Sequence, residues 1–86
     1  MVAYTIQFKP LAFRQLEKLP REAQRRLSIK IEALREDPFP VGCKKMAAIP
    51  DAWRIRAGAY RVVYQVQHGV LLILVLTVGH RKDVYR

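Results

Sequence analysis

The chain has one cysteine, Cys43, so no disulfide can close within it and no Cys/His cluster is on offer to a metal. Cys43 reads as a small loop or core residue rather than a nucleophile. None of the four glycines belongs to a phosphate-cradling loop, and no Ser/His/Asp set comes with a supporting motif. Acids are scarce: seven Asp and Glu stand against sixteen Lys and Arg, and beyond Asp37 only Asp51 and Asp83 remain. No carboxylate pair therefore stands near the basic cluster of the C-terminal half. The longest apolar run, Val70 to Val78, is interrupted only by Thr77 and falls far short of the ~20 residues that span a bilayer as a helix. Met1-Val2-Ala3-Tyr4 lacks a basic segment leading into an apolar one, so no signal peptide is expected and a cytoplasmic location is.

What the chain does have is positive charge. Its net charge is +9 over 86 residues, with 51% hydrophobic residues, ample for one globular domain spanning 1–86. The excess is uneven. Residues 1–43 hold 8 basic and 5 acidic side chains, residues 44–86 hold 8 and 2. A basic footprint concentrated in one part of a small domain points to nucleic acid, to an acidic protein partner, or to both.

Periodicity organises the chain. Tyr4, Ile6 and Phe8 alternate with polar neighbours, a strand over 2–8 that Lys9-Pro10 ends. Leu11, Phe13, Leu16 and Leu19 fall near helical spacing, and Pro20 separates them from a second helix. In that helix Ala23, Leu27, Ile31 and Leu34 recur every three or four residues, with Arg25, Arg26, Lys30 and Arg35 on the other side. Asp37-Pro38-Phe39-Pro40 stops it. A Pro-bracketed connection over 37–51 carries Lys44 and Lys45. Strands follow at about 52–57, 60–67 and 70–78, with a turn near His68-Gly69. The last strand, apolar on both faces, is expected inside the sheet. The order β-α-α-β-β-β implies an α+β fold, an antiparallel sheet with a two-helix hairpin on one face.

Within this frame one hairpin stands out. If Gly58-Ala59 is a two-residue turn, Ala57 opposes Tyr60, Arg56 opposes Arg61, and Trp53 opposes Tyr64. Side chains alternate along a strand, so Arg54, Arg56 and Arg61 share one face. Like charges directly opposite destabilise a sheet, which makes such a cluster a poor design unless an anion sits there. RNA phosphodiester cleavage suits this inventory and needs no metal or cofactor. The substrate supplies the 2′-hydroxyl nucleophile, guanidiniums hold phosphate through their planar fork, and fixed cations stabilise charge on the phosphoryl oxygens.

Trp53-Arg54-Ile55-Arg56, then Gly58-Ala59-Tyr60-Arg61-Val62-Val63-Tyr64, then Val78-Gly79-His80-Arg81-Lys82-Asp83-Val84-Tyr85, together resemble the RelE-type toxins of the RelE/ParE superfamily, over essentially the whole chain. The resemblance implies a ribosome-dependent endoribonuclease, or mRNA interferase, that cuts messenger in the ribosomal A site and inhibits translation. It also implies a cognate RelB-like antitoxin that neutralises the toxin, and operator DNA bound only through the complex. Matched position by position, it assigns catalytic roles to Arg54, Arg56, Arg61, Arg81 and Tyr85. Lys44, Lys45, His80 and Lys82 are expected to contact RNA. Two departures matter. Arginine replaces the lysine pair of the best-studied type at 54 and 56, and is the poorer proton carrier, which moves acid–base work toward Tyr85 and His80. The chain also stops at Arg86, so the C-terminal helix of some relatives is expected to be missing or short. Two other functions stay open: a ParE-like poison of DNA gyrase on the same fold, and a non-enzymatic basic module that binds nucleic acid.

Overall fold

The computed structural model describes residues 3–80. Its elements are β1 (Thr5–Phe8), α1 (Pro10–Glu17), α2 (Arg21–Ala33), β2 (Lys44–Lys45), β3 (Ala52–Ala57), β4 (Tyr60–Gln67) and β5 (Leu72–His80). The strands form one sheet in the order β1-β5-β4-β3-β2, and the helices cover one of its faces. The α+β class and the interior place of the last strand are as the sequence implies. The sheet is mostly rather than wholly antiparallel, because β1 runs parallel to β5.

Proline sets the helix starts. Pro10 occupies the first turn of α1, where its missing N–H costs nothing, and Pro20 caps α2 in an extended conformation. The Gln24 side chain donates to the Leu19 and Glu17 carbonyls and locks the tight link between the helices. In α2 the expected stripe is the buried one: Ala23, Leu27, Ile31 and Leu34. In α1 the buried pair is Ala12 and Leu16, spaced i, i+4, while Leu11 and Phe13 stay half exposed. Hydrophobicity alone misread that helix's phase. Gln15 explains part of the choice, since its Oε1 faces the sheet and accepts the Val78 N–H at 2.9 Å.

Three further differences come from tertiary contacts. The 37–51 connection contains a strand, β2, held on β3 and continued by the Met46 N–H donating to the Ala52 carbonyl at 2.8 Å. The β4–β5 link is a 3₁₀ turn over His68–Val70 closed by Leu71 at φ 52, not a two-residue hairpin, so β5 starts at Leu72. Two bonds to the N-terminal strand anchor this turn. The Tyr4 hydroxyl meets His68 Nδ1 at 2.9 Å, and the Thr5 N–H donates to the Leu71 carbonyl at 2.8 Å. Finally, β5 carries a bulge opposite the Val63–Tyr64 step. Tyr64 pairs with Val75 while Val63 pairs with Thr77, which leaves Leu76 as the extra residue. The bulge lets both Val75 and Val78 enter the core and inverts the alternation for the rest of the strand.

The helix-covered face holds Ile55, Ala57, Val62, Tyr64, Val66, Ile73, Val75 and Val78 against α1 and α2. Tyr64 is fully buried, and its hydroxyl donates to the Pro38 carbonyl at 2.7 Å, pinning the connection to the sheet. Burial, with Cys43 and Asp37 nearby, pushes the Tyr64 pKa above its ordinary value of 10.0. Tyr64→Phe should destabilise the protein by about 1 kcal/mol near neutral pH, measured by urea unfolding, because the Pro38 carbonyl loses its donor. The folded state favours the protonated phenol, so that contribution is intact below about pH 10 and drains away as pH rises through the folded value. Wild type should therefore lose stability more steeply than Tyr64→Phe above pH 10.

Candidate active site

The site is built on the β3–β4 hairpin. Gly58 takes φ +61 at the first of two turn positions, the place that a II′ turn reserves for glycine. The turn fixes the register: Ala57 opposes Tyr60, Arg56 opposes Arg61, Arg54 opposes Val63, and Trp53 opposes Tyr64. Trp53, Ile55 and Ala57 face the helices, so the pleat turns Arg54, Arg56 and Arg61 to the other face together.

Their environments differ. Arg54 is the single charged residue buried among those described, at 7% exposure, while Arg56 is exposed and Arg61 is intermediate. The Arg54 Nε is buried with no hydrogen-bond partner, and no described carboxylate forms an ion pair with it. A guanidinium N–H taken out of water without an acceptor is costly, and a phosphate oxygen would relieve it.

The other expected site residues divide. Lys44 stands opposite Arg54 on β2 and so joins the arginine face. Lys45 stands opposite Trp53 and goes to the other face, its Nζ 5.7 Å from the Trp53 ring centroid in a cation–π contact. His80 opposes Tyr60 on β5, and the two rings meet edge to face at 5.8 Å. The bulge is the reason: without it, His80 would fall on the arginine face. The structure thus brings Arg54, Arg56, Arg61 and Lys44 together and separates Lys45 and His80 from them. Arg81, Lys82 and Tyr85 lie outside the described residues. Two residues treated in the sequence as the solvated side of α2, Arg26 and Lys30, line concavities together with Arg56 or its neighbours. Their helical spacing was visible, but nothing local says which flank of α2 adjoins the hairpin.

Comparison with known proteins bears on the family and the fold. The family model described as the ParE toxin of type II toxin–antitoxin systems matches residues 6–85. The chain belongs to the RelE-type toxins of the RelE/ParE superfamily. It is 32% identical over 87 residues to toxin RelG of Mycobacterium tuberculosis, covering 96% of this chain and 97% of that one. It is 31% identical over 88 residues to the mRNA interferase toxin RelE of Escherichia coli K12, covering 98% and 92%. Among solved structures it resembles a chain of the M. tuberculosis toxin–antitoxin complex RelBE2, with TM-score 0.81, 30% identity, and 96% and 97% coverage. As a RelE-like protein it is the toxin of a type II toxin–antitoxin system. No helix among the described residues is long and apolar enough to cross a membrane.

The burial of Arg54 yields a prediction about the RNA-free protein. Arg54→Met keeps an unbranched apolar stem, though a shorter one, and removes the charge with its partnerless Nε. It should leave the urea midpoint unchanged or raise stability by about 1 kcal/mol, as replacing buried ionic groups with apolar ones often does. In the same assay, inorganic phosphate should stabilise wild type more than the variant.

Proposed function

We propose that this toxin is an endoribonuclease that cuts messenger in the ribosomal A site. The observation that carries the reading is the common face of Arg54, Arg56 and Arg61, with the Arg54 Nε buried and awaiting an acceptor. The name of the E. coli relative, an mRNA interferase, supports the same chemistry at 31% identity.

In the proposed step the ribose 2′-oxygen attacks the adjacent phosphorus. A 2′-O–P bond forms and the P–O5′ bond breaks, leaving a 2′,3′-cyclic phosphate and a 5′-hydroxyl. One proton leaves the 2′-hydroxyl and one reaches the departing 5′-oxygen. The arginines bend the backbone into line and hold the phosphoryl oxygens as charge builds on them, acting through position and charge rather than proton transfer. The resemblance places Arg81 and Tyr85 in the same catalytic set. Lys44 and Lys82 would track the RNA backbone. The partners under this reading are the ribosome, messenger, and a RelB-like antitoxin, with operator DNA reached only through the antitoxin complex; the compartment is the cytoplasm.

The ParE description of the matching family model favours a second reading, a poison of DNA gyrase. One experiment separates them. Messenger 5′ ends are mapped on programmed ribosomes, and on naked RNA, with wild type, Arg61→Ala and Arg56→Ala. The proposal expects ribosome-dependent cuts reduced by roughly 10²-fold or more in each variant. Equal cutting of naked RNA would remove the ribosome from the mechanism, and gyrase-dependent DNA breaks without messenger cuts would establish the second reading.

A further inference from the structure

The open face of the sheet divides into rows that cross the strands. One row runs Lys44, Arg54, Val63, Thr77 from β2 to β5. The next, toward the hairpin tip, runs Arg56, Arg61, Gly79. On the other side lies Ala52, Gln65, Leu74, ending at Gln7 on β1. Residues directly opposite in a ladder point to the same face, so all of these share the side of the arginines. Thr77 and Gly79 are there only because of the bulge at Leu76. Before it, Ile73 and Val75 enter the core in strict alternation. Continued unbroken, that alternation would send Thr77 and Gly79 to the core and Val78 to the open face. The extra residue reverses it: Val78 is buried and Thr77 stands opposite Val63. Bulges recur beside active sites, where they re-aim a side chain. Here the side chain re-aimed is a hydroxyl.

That hydroxyl has a chemistry its neighbours lack. Lys44, Arg54, Arg56 and Arg61 are donors with no lone pair to offer. Val63, at 3% exposure, is an apolar floor between Arg54 and Thr77, and Gly79 has no side chain. Gln65, one row away, already donates from Nε2 to the Pro50 carbonyl at 3.0 Å. In the two cationic rows Thr77 is therefore the single described side chain able to accept a hydrogen bond. The spacing suits a ligand between them. Strands about 4.8 Å apart put the Thr77 backbone about 10 Å from that of Arg54, across Val63. Arg61 is the diagonal neighbour of Thr77 at about 7–8 Å, within reach of a long side chain. Gly79 leaves the β5 flank of Arg61 without a side chain. The β-branch of Thr77 restricts χ1, so few directions are open to its hydroxyl.

We propose that Thr77 orients the nucleophile: its Oγ1 accepts a hydrogen bond from the ribose 2′-hydroxyl while Arg54 and Arg61 hold the adjacent phosphate. The proposal rests on the endoribonuclease reading and adds the group that meets the 2′-oxygen. Cations fix a phosphate but leave the hydroxyl beside it free to turn, because a donor-only group cannot receive its O–H. An acceptor on β5 draws that O–H to one side and leaves a lone pair of the 2′-oxygen facing phosphorus, a near-attack arrangement. The contact orients and transfers no proton, since an aliphatic hydroxyl is too weak a base to carry one away. It also distinguishes sugars, because a deoxyribose at the cut position has nothing to donate to Thr77.

The test uses the full chain on programmed ribosomes, with messenger carrying either ribose or 2′-deoxyribose at the cut position. Thr77→Val keeps the shape and removes the hydroxyl; Thr77→Ser keeps the hydroxyl. At saturating toxin, Thr77→Val should cut the ribose messenger about 10-fold more slowly than wild type, and Thr77→Ser within about 3-fold of it. Binding is read separately, as half-saturation by the ribose messenger and inhibition by the deoxyribose one. Wild type should prefer ribose by about 3-fold, the worth of one neutral hydrogen bond, and Thr77→Val should bind both equally. Cutting by Thr77→Val at the wild-type rate, or slower cutting with the preference for ribose intact, overturns the proposal. Urea unfolding separates these results from a folding defect: the midpoint of Thr77→Val should equal or exceed that of wild type, since valine suits a strand. Should it fall, Thr77→Ser is compared with Thr77→Ala. Faster cutting by serine supports the proposal and equal rates overturn it. Wild type that cuts messenger regardless of residue 77 refutes this inference alone, whereas wild type that cuts none refutes the endoribonuclease reading as well.

Discussion

The β3–β4 pairing is the constraint on which the rest of this molecule depends. A two-residue turn at Gly58-Ala59 leaves one register available, and a slip of one residue would exchange every side chain between the faces. In the observed register Ile55, Ala57, Val62 and Tyr64 enter the core and the three arginines leave it together. Core and candidate site are thus specified by the same hydrogen-bonded ladder. A change that loosened the hairpin would damage the core and the grouping of the three arginines at once.

The surroundings of that hairpin explain how a small domain tolerates clustered cations. The helices and the sheet's apolar face supply the stabilisation, through Leu27, Leu34, Ile73 and Val75, all fully buried. The arginines face away from that core, so solvent screens their repulsion most at exposed Arg56 and least at buried Arg54. Arg54, with its Nε desolvated, is where the fold accepts an electrostatic penalty. Strain of this kind concentrates at functional sites, where a ligand relieves it. The ion pairs described, Arg26–Glu22 and Arg35–Glu32, both lie on or just beyond α2.

The connection over 37–51 matters more than its irregular sequence implies. Tyr64 binds the Pro38 carbonyl, Phe39 packs edge to face on Trp53 at 4.7 Å, and Lys44 and Lys45 add a strand. The same segment brings Pro40 and Val41 to a concavity beside Arg56. A stretch that reads as a linker therefore shapes both the arginine face, through Lys44, and that concavity.

The amino-acid order determined whatever depends on local periodicity. The β3–β4 register, the buried stripe of α2, the grouping of Arg54, Arg56 and Arg61, and the interior position of β5 all follow from alternation, helical spacing and one glycine turn, which act over a few residues. Long-range contacts decided the rest. The bulge at Leu76 forms because β5 must fit β4 and the core at once, and it alone sends His80 to the face of Tyr60. The parallel seat of β1, the 3₁₀ turn held by Tyr4 and Thr5, the β2 strand, and the meeting of α2 with Arg56 join residues tens of positions apart. No local pattern encodes such meetings, because each is settled by which surfaces are left to pair once the hairpin and helices have formed.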